Sequence, residues 1–167
     1  MEYTIRKAQK KDIEDIMRLL KQIAQLHYEG RPDLFKTNAS KYSHEMVHFK
    51  IKNPDEYIVV AIDETDKVLG YIFCYFEIRK DHPVLKDRKV IYIDDFCVDQ
   101  EKRELGIGSK LFTHIENYAK QTHCDAIELN VWVFNKEALR FYEKHGLLPK
   151  STRMELLLDQ KEIKEKY

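Results

Sequence analysis

Apolar positions in this chain recur with two different periods, and the alternation between them lays out its elements. Ile13, Ile16, Met17, Leu20, Ile23, Ala24 and His27 share one face of a 3.6-residue period, which predicts a first helix of about four turns. A short strand over residues 4–8 precedes it, Gly30-Arg31-Pro32 interrupts it, and a second helical stretch covers residues 42–51. Residues 57–63 and 68–78 are rich in β-branched and aromatic side chains and are joined by the polar turn Glu64-Thr65-Asp66-Lys67. They predict an antiparallel hairpin. A further apolar run, residues 90–98, follows a polar loop that contains His82-Pro83. A helix over 109–122 then turns Leu111, Phe112, Ile115, Tyr118 and Ala119 inward. A strand over 126–133, a helix over 136–145 closed by Gly146 and a final strand over 153–158 complete the order. Hairpins followed by a β-α-β crossover predict an α/β fold. The expected sheet is mixed and mostly antiparallel, with about six or seven strands and helices on both faces.

Composition narrows the class. A chain of 167 residues without repeats or a Gly/Ser/Pro linker reads as one domain, residues 1–158, followed by a charged tail, residues 159–167. Lys and Arg number 29, as do Asp and Glu, and the pI is near 7.1. That balance supplies no global basic field, so neither nucleic acid nor a membrane surface is an expected partner. Cys74, Cys97 and Cys124 lie far apart, without a C-x-x-C pair or zinc-type His spacing, and read as reduced thiols with no metal site. The N-terminal residues have no apolar signal core, and no run approaches membrane-spanning length; the cytoplasm is the expected location.

The densest chemistry lies in Arg103-Glu104-Leu105-Gly106-Ile107-Gly108. A strand that breaks into a glycine turn and then a helix start makes an anion cradle. The first helical N–H groups lack internal partners, the helix dipole adds positive potential, and glycines let the backbone approach a phosphate. A P-loop is excluded, because Gly108-Ser109-Lys110 has its ending without the first glycine spacing. A dinucleotide fingerprint would need a third glycine at Leu111; Glu128 lies at a suitable distance for a ribose acid, but several strands precede the motif.

The Arg-x-x-Gly-x-Gly spacing after a strand resembles the acyl-CoA pyrophosphate loop of the GNAT superfamily of N-acetyltransferases. A second match follows in the same order: Asn135, then Ala138-Leu139-Arg140-Phe141-Tyr142 and Gly146-Leu147, similar to the family's A-x-x-F-Y-x-x-x-G helix. With Tyr3-Thr4-Ile5-Arg6-Lys7-Ala8 at the start, the resemblance covers roughly residues 1–158. It implies acetyl-CoA as co-substrate. The pantetheine arm would run along Phe96, Cys97 and Val98, pairing with the main chain of Phe96 and Val98. Arg103 would begin the pyrophosphate loop, and backbone N–H groups of Glu104, Leu105, Gly106, Ile107, Gly108 and Ser109 would hold the phosphates. Asn135 would meet pantetheine or a water, and Tyr142 would lie near the sulfur. Glu104 departs from the family, which usually has a second glycine there. A carboxylate at that place weakens the cradle unless it turns into solvent.

The reaction explains why such residues are needed. An alkylammonium has a pKa near 10, and only its neutral form attacks a thioester. The site must remove that proton and later return one to the departing thiolate. A phenol retains its proton at neutral pH, so Tyr142 is the expected general acid, set against a reading of Phe141 and Tyr142 as core aromatics. The fourth strand carries two adjacent carboxylates, Asp94 and Asp95, in an otherwise apolar run. The polyamine acetyltransferase branch has a similar acidic pair, which implies Asp94 as base, through a water, and Asp95 as a cation contact. Strand neighbours point to opposite faces, so at most one of the two should meet the amine. The competing reading has both satisfied structurally. Cys97 as an acylated nucleophile is disfavoured for want of an adjacent base, which leaves direct transfer.

The acceptor is expected between the first two helices and before the fourth strand. Tyr28, Glu29 and Asp33 suit a cationic amine, Arg31 a carboxylate, and His27 continues an apolar face. Three functions stay open: N-acetylation of a small amine, polyamine or peptide amine; a non-catalytic CoA-binding module; and a dinucleotide-dependent oxidoreductase. Homodimers are common in the resembling family, and no segment here declares one.

Overall fold

The computed structural model describes residues 2–158. In chain order it contains β1 (Tyr3–Lys7), a 3-10 turn at Lys10–Asp12, α1 (Ile13–Gly30), α2 (His44–Lys52), β2 (Glu56–Asp63), β3 (Val68–Arg79) and β4 (Arg88–Val98). A second 3-10 turn at Gln100–Lys102 leads to α3 (Ile107–Gln121), β5 (Ala126–Leu129) and α4 (Lys136–Lys144). The residues cluster into two compact units. The first ends at Asn130 and holds the whole sheet; the second begins at Val131 and holds α4.

Among the described residues the sheet has five strands in sequence order, antiparallel from β1 to β4 and parallel between β4 and β5. The β2–β3 turn is built by Asp63, whose Oδ1 accepts the N–H groups of Thr65 at 2.9 Å and Lys67 at 3.1 Å. At α2 the Ser43 hydroxyl accepts the Met46 N–H at 3.2 Å, so the helix starts at His44 rather than at Tyr42. Alternate residues of the central strands serve opposite faces. Ile58, Val60, Tyr71, Phe73 and Cys97 join Ile16, Leu19 and Leu20 of α1 and Val47 of α2 in one buried cluster. On the other face Tyr57 stacks on Tyr118 of α3 with ring centroids 3.7 Å apart. Nearer the start of α3, Gly70 leaves room for Leu111 against the sheet. A Cβ there would lie 3.0 Å from the Cys97 carbonyl oxygen and 3.2 Å from Leu111.

Among the described residues five strands stand where six or seven were expected, and two strand expectations account for the difference in extent. The fifth strand ends at Leu129 instead of 133. Residues 153–158 form no strand, and Met154, Leu156 and Leu158 are more than four-fifths exposed. The segment is apolar at Met154 and at Leu156-Leu157-Leu158, but a strand also needs a neighbour to complete its ladder of hydrogen bonds. The expected tail, 159–167, lies outside the described residues. Among those described, no helix is long and apolar enough to cross a membrane.

Candidate active site

The acid pair sits on a β-bulge. The β3–β4 register runs from Gly70↔Val98 to Phe73↔Asp95 and resumes at Cys74↔Ile93, which leaves Asp94 as the extra residue. A bulge breaks the alternation of side chains, so the expectation that Asp94 and Asp95 would face apart does not hold. Both meet one cation: Lys41 Nζ lies 3.0 Å from Asp94 Oδ1 and 3.5 Å from Asp95 Oδ2. The same ammonium donates to the Asp94 carbonyl oxygen at 2.6 Å.

The two carboxylates differ in surroundings. Asp95 is buried and accepts the Tyr71 hydroxyl at 2.8 Å. Burial pushes its carboxyl above the ordinary value, and Lys41 and Tyr71 only partly oppose this. Asp94 keeps a side chain 19% exposed against 6% for Asp95, so it is the member that water or a substrate can reach. Its Oδ2 accepts the hydroxyl of Tyr42. Burial, reinforced by Asp94, raises that phenol well above its usual range, so Tyr42 stays a donor. Tyr42 immediately precedes the α2 cap, and with Val47 it belongs to the core cluster, the arrangement of a hydrophobic staple. Packing thus fixes the ring whose hydroxyl holds Asp94.

Beyond Ile93 the two sides of β4 diverge. Pairing with β5 runs from Val90↔Ala126 to Ile93↔Leu129, whereas pairing with β3 continues to Val98. The segment Asp94–Val98, with Phe96, Cys97 and Val98, therefore extends past the parallel partner. At its end Asp99 is clamped. Its N–H donates to the Leu69 carbonyl at 2.8 Å, and its carboxylate accepts Arg18 at 2.5 Å and the Glu101 N–H at 3.2 Å. Burial would raise the Asp99 carboxyl, but Arg18 and that N–H overcome it and hold the group below its ordinary value.

The clamp leads into the glycine turn. Gly106 caps α3 at φ +76°, a left-handed conformation that suits glycine. The Lys110 N–H donates to the Gly106 carbonyl at 3.1 Å and opens the helical ladder, after the amides of Ile107, Gly108 and Ser109. No acidic residue stands in the first turn of α3. That arrangement suits a phosphate. Arg103, Glu104 and Leu105 are exposed on the approach. Glu104, where a glycine was the family's usual residue, also takes positive φ, +66°. The Tyr3 hydroxyl donates to the Leu105 carbonyl at 3.4 Å and so braces the turn from β1.

Cys97 is buried, with Sγ 3.6 Å from the Leu19 carbonyl oxygen. Burial, with Asp95 nearby, pushes its thiol up to about 12, which is poor for a nucleophile. In the second unit Asn135 caps α4, its Oδ1 accepting the Ala138 N–H at 3.1 Å. Tyr142 is half-buried, its ring edge-on to Phe141 at 5.4 Å between centroids, and Gly146 at φ +83° ends the helix.

Of the acceptor candidates, Tyr28 is half-buried near the end of α1 and Glu29 is exposed, bonded to Gln25 at 2.9 Å. Arg31 is buried and grips Asp33 through two bonds of 2.8 and 2.6 Å, so these two charges answer each other. His27 is pulled below its ordinary pKa, chiefly by burial. The side chains that meet the acid pair are Lys41, Tyr42 and Tyr71, and sequence reading missed all three. Only the staple position of Tyr42 carried a local signal.

Comparisons with known proteins agree with this geometry. A family model described as "Acetyltransferase (GNAT) family" matches residues 17–147. A bovine thialysine N-epsilon-acetyltransferase is 28% identical over 152 residues, covering 85% of this chain and 82% of that protein. The human spermidine/spermine N(1)-acetyltransferase-like protein 1 is 26% identical over 156 residues, 90% of this chain, although the chain spans 21% of that protein's length. Among solved structures, a mutant of the BH1408 protein from Bacillus halodurans superposes with a TM-score of 0.90 at 33% identity, covering 93% of this chain and 99% of that one. The bulged strand, the glycine-capped helix that follows it and the family match across both agree, and the chain belongs to the GNAT family of acetyltransferases.

Proposed function

We propose that this chain transfers an acetyl group from acetyl-CoA directly to a primary amine, within a single catalytic domain spanning residues 1–158. The observation that carries the reading is the run from β4 into α3. A strand outlasts its parallel neighbour by five residues, Asp94–Val98, and then turns through the Gly106 cap into the N-terminus of α3. The first part suits an extended amide-bearing arm added as if it were a strand, and the second suits a pyrophosphate. Phe96, Cys97 and Val98 would take the arm, Arg103 to Ser109 the phosphates, and Asn135 the pantetheine end.

Asp94 is the base. Tyr42 fixes one of its oxygens, which leaves Oδ1 directed at a cation. The acceptor ammonium gives up a proton to Asp94, directly or through water, and its nitrogen attacks the thioester carbonyl. The C–S bond then breaks with its electron pair on sulfur; Tyr142 protonates that sulfur and recovers the second proton from the acylated nitrogen, which ends as a neutral amide. Asp95 adds negative potential behind Asp94, and Tyr28 and Glu29 suit the remote part of a cationic acceptor. The names of the human and bovine relatives support a polyamine or a lysine-like amine as acceptor. A panel of diamines, polyamines, amino acids and peptides, read out by release of free CoA thiol, tests this. Thiol release dependent on an added amine is expected. Acetyl-CoA binding without release for any amine would convert the reading to a non-catalytic CoA-binding module.

A further inference from the structure

The acid pair of β4 already holds an alkylammonium, and it belongs to the chain itself. An ammonium has three N–H donors. Lys41 Nζ meets three oxygens of the bulge: the Asp94 carbonyl at 2.6 Å, Asp94 Oδ1 at 3.0 Å and Asp95 Oδ2 at 3.5 Å. Neither carboxylate depends on Lys41 for a hydrogen bond, since Tyr42 and Tyr71 each supply one. The Lys41 side chain is 41% exposed, so it enters from solvent on a flexible stem rather than from the core. A primary amine therefore sits where the base would meet an acceptor.

We propose that Lys41 is an internal acceptor, acetylated on Nζ by the chain's own donor thioester. This rests on the assignment of Asp94 given above. The Lys41 ammonium passes one proton to the Asp94 carboxylate, and its nitrogen forms a C–N bond to the acetyl carbonyl carbon. The C–S bond breaks with its electron pair on sulfur, which takes the second proton from that nitrogen and leaves as CoA thiol. Asp94 returns its proton to solvent. The resulting amide is uncharged, so both ion pairs of Lys41 vanish and the acid pair is left facing an external cation.

The test is to incubate the purified full chain with acetyl-CoA bearing a heavy-isotope acetyl group and to quantify labelled peptides by mass spectrometry. Label should appear at Lys41 faster than at the exposed Lys21 and Lys36, with a rate per molecule independent of protein concentration. Asp94→Asn should slow labelling of Lys41 by about a hundredfold and leave Lys21 and Lys36 unchanged. If that variant does not fold, the concentration dependence in the unaltered chain decides by itself. Labelling of Lys41 no faster than of Lys36, or a rate that rises with protein concentration, overturns the inference. Unlabelled Lys41 in a protein that acetylates added amines defeats this inference alone, whereas neither label nor thiol release defeats the assignment of function as well.

Discussion

Single residues at this site act through their proton states and backbone angles. Tyr142 is assigned to the leaving group, a late event, so Tyr142→Phe should lower kcat with little change in acetyl-CoA affinity. Unchanged turnover in a folded variant would remove the phenol from that role. Glu104 is the more unusual case. It holds φ +66° without being glycine, and an L-residue there pays a steric cost of about 1–2 kcal/mol, against about 0.5–1 kcal/mol of extra chain entropy for glycine. Glu104→Gly should therefore leave stability level or raise it by up to about 1.5 kcal/mol. It also removes a carboxylate from the approach to the phosphates, so the Kd for acetyl-CoA should fall, most strongly at low salt. Weaker binding in titration calorimetry would mean that the Glu104 backbone angle matters less to the cradle than its side chain.

At the scale of elements, the bulge in β4 and the clamp at Asp99 set the site's frame. The bulge turns two consecutive carboxylates toward one cation, which a regular strand cannot do. Asp99 ties the end of β4 to Arg18 of α1 and to Leu69 of β3, just ahead of the glycine turn. Its native carboxyl lies below the ordinary value. A depressed native pKa contributes stability that is fully present above the unfolded value, about 3.9, and is lost as pH falls through the folded one. Thermal melts of the unaltered chain and Asp99→Asn should thus differ most near neutrality and converge below about pH 4. A gap that stays constant with pH would show that Asp99 stabilises through packing alone.

For the whole molecule the decisive measurement is ligand stabilisation. Acetyl-CoA at about 100 times its Kd should stabilise the fold by about 2.7 kcal/mol, with little effect from NAD or ATP. An equal shift with NAD would restore the dinucleotide reading that Leu111 disfavours; Leu111 is fully buried against the sheet, where Gly70 makes room for it.

Much of this was legible along the chain, because it depends on neighbours in sequence. Strand, glycine turn and helix start are consecutive from residue 88 to 121, so the cradle could be read from spacing and backbone chemistry. The hydrophobic periods likewise marked the four α-helices and first four strands of the described residues within a few positions. The strand expected at 153–158 failed for the opposite reason: an apolar run describes one chain segment, and a ladder requires two. The surroundings of the acid pair were decided in three dimensions. Tyr42 and Tyr71 reach Asp94 and Asp95 across separations of 52 and 24 residues, and Lys41 reaches the Asp94 carbonyl across 53. The register slip that aims both carboxylates one way exists only between β3 and β4. Sequence alone determined which residues carry charge and where a glycine turn opens into a helix, since both are local; tertiary packing decided which charges meet, since strand register and long-range contacts have no local signal.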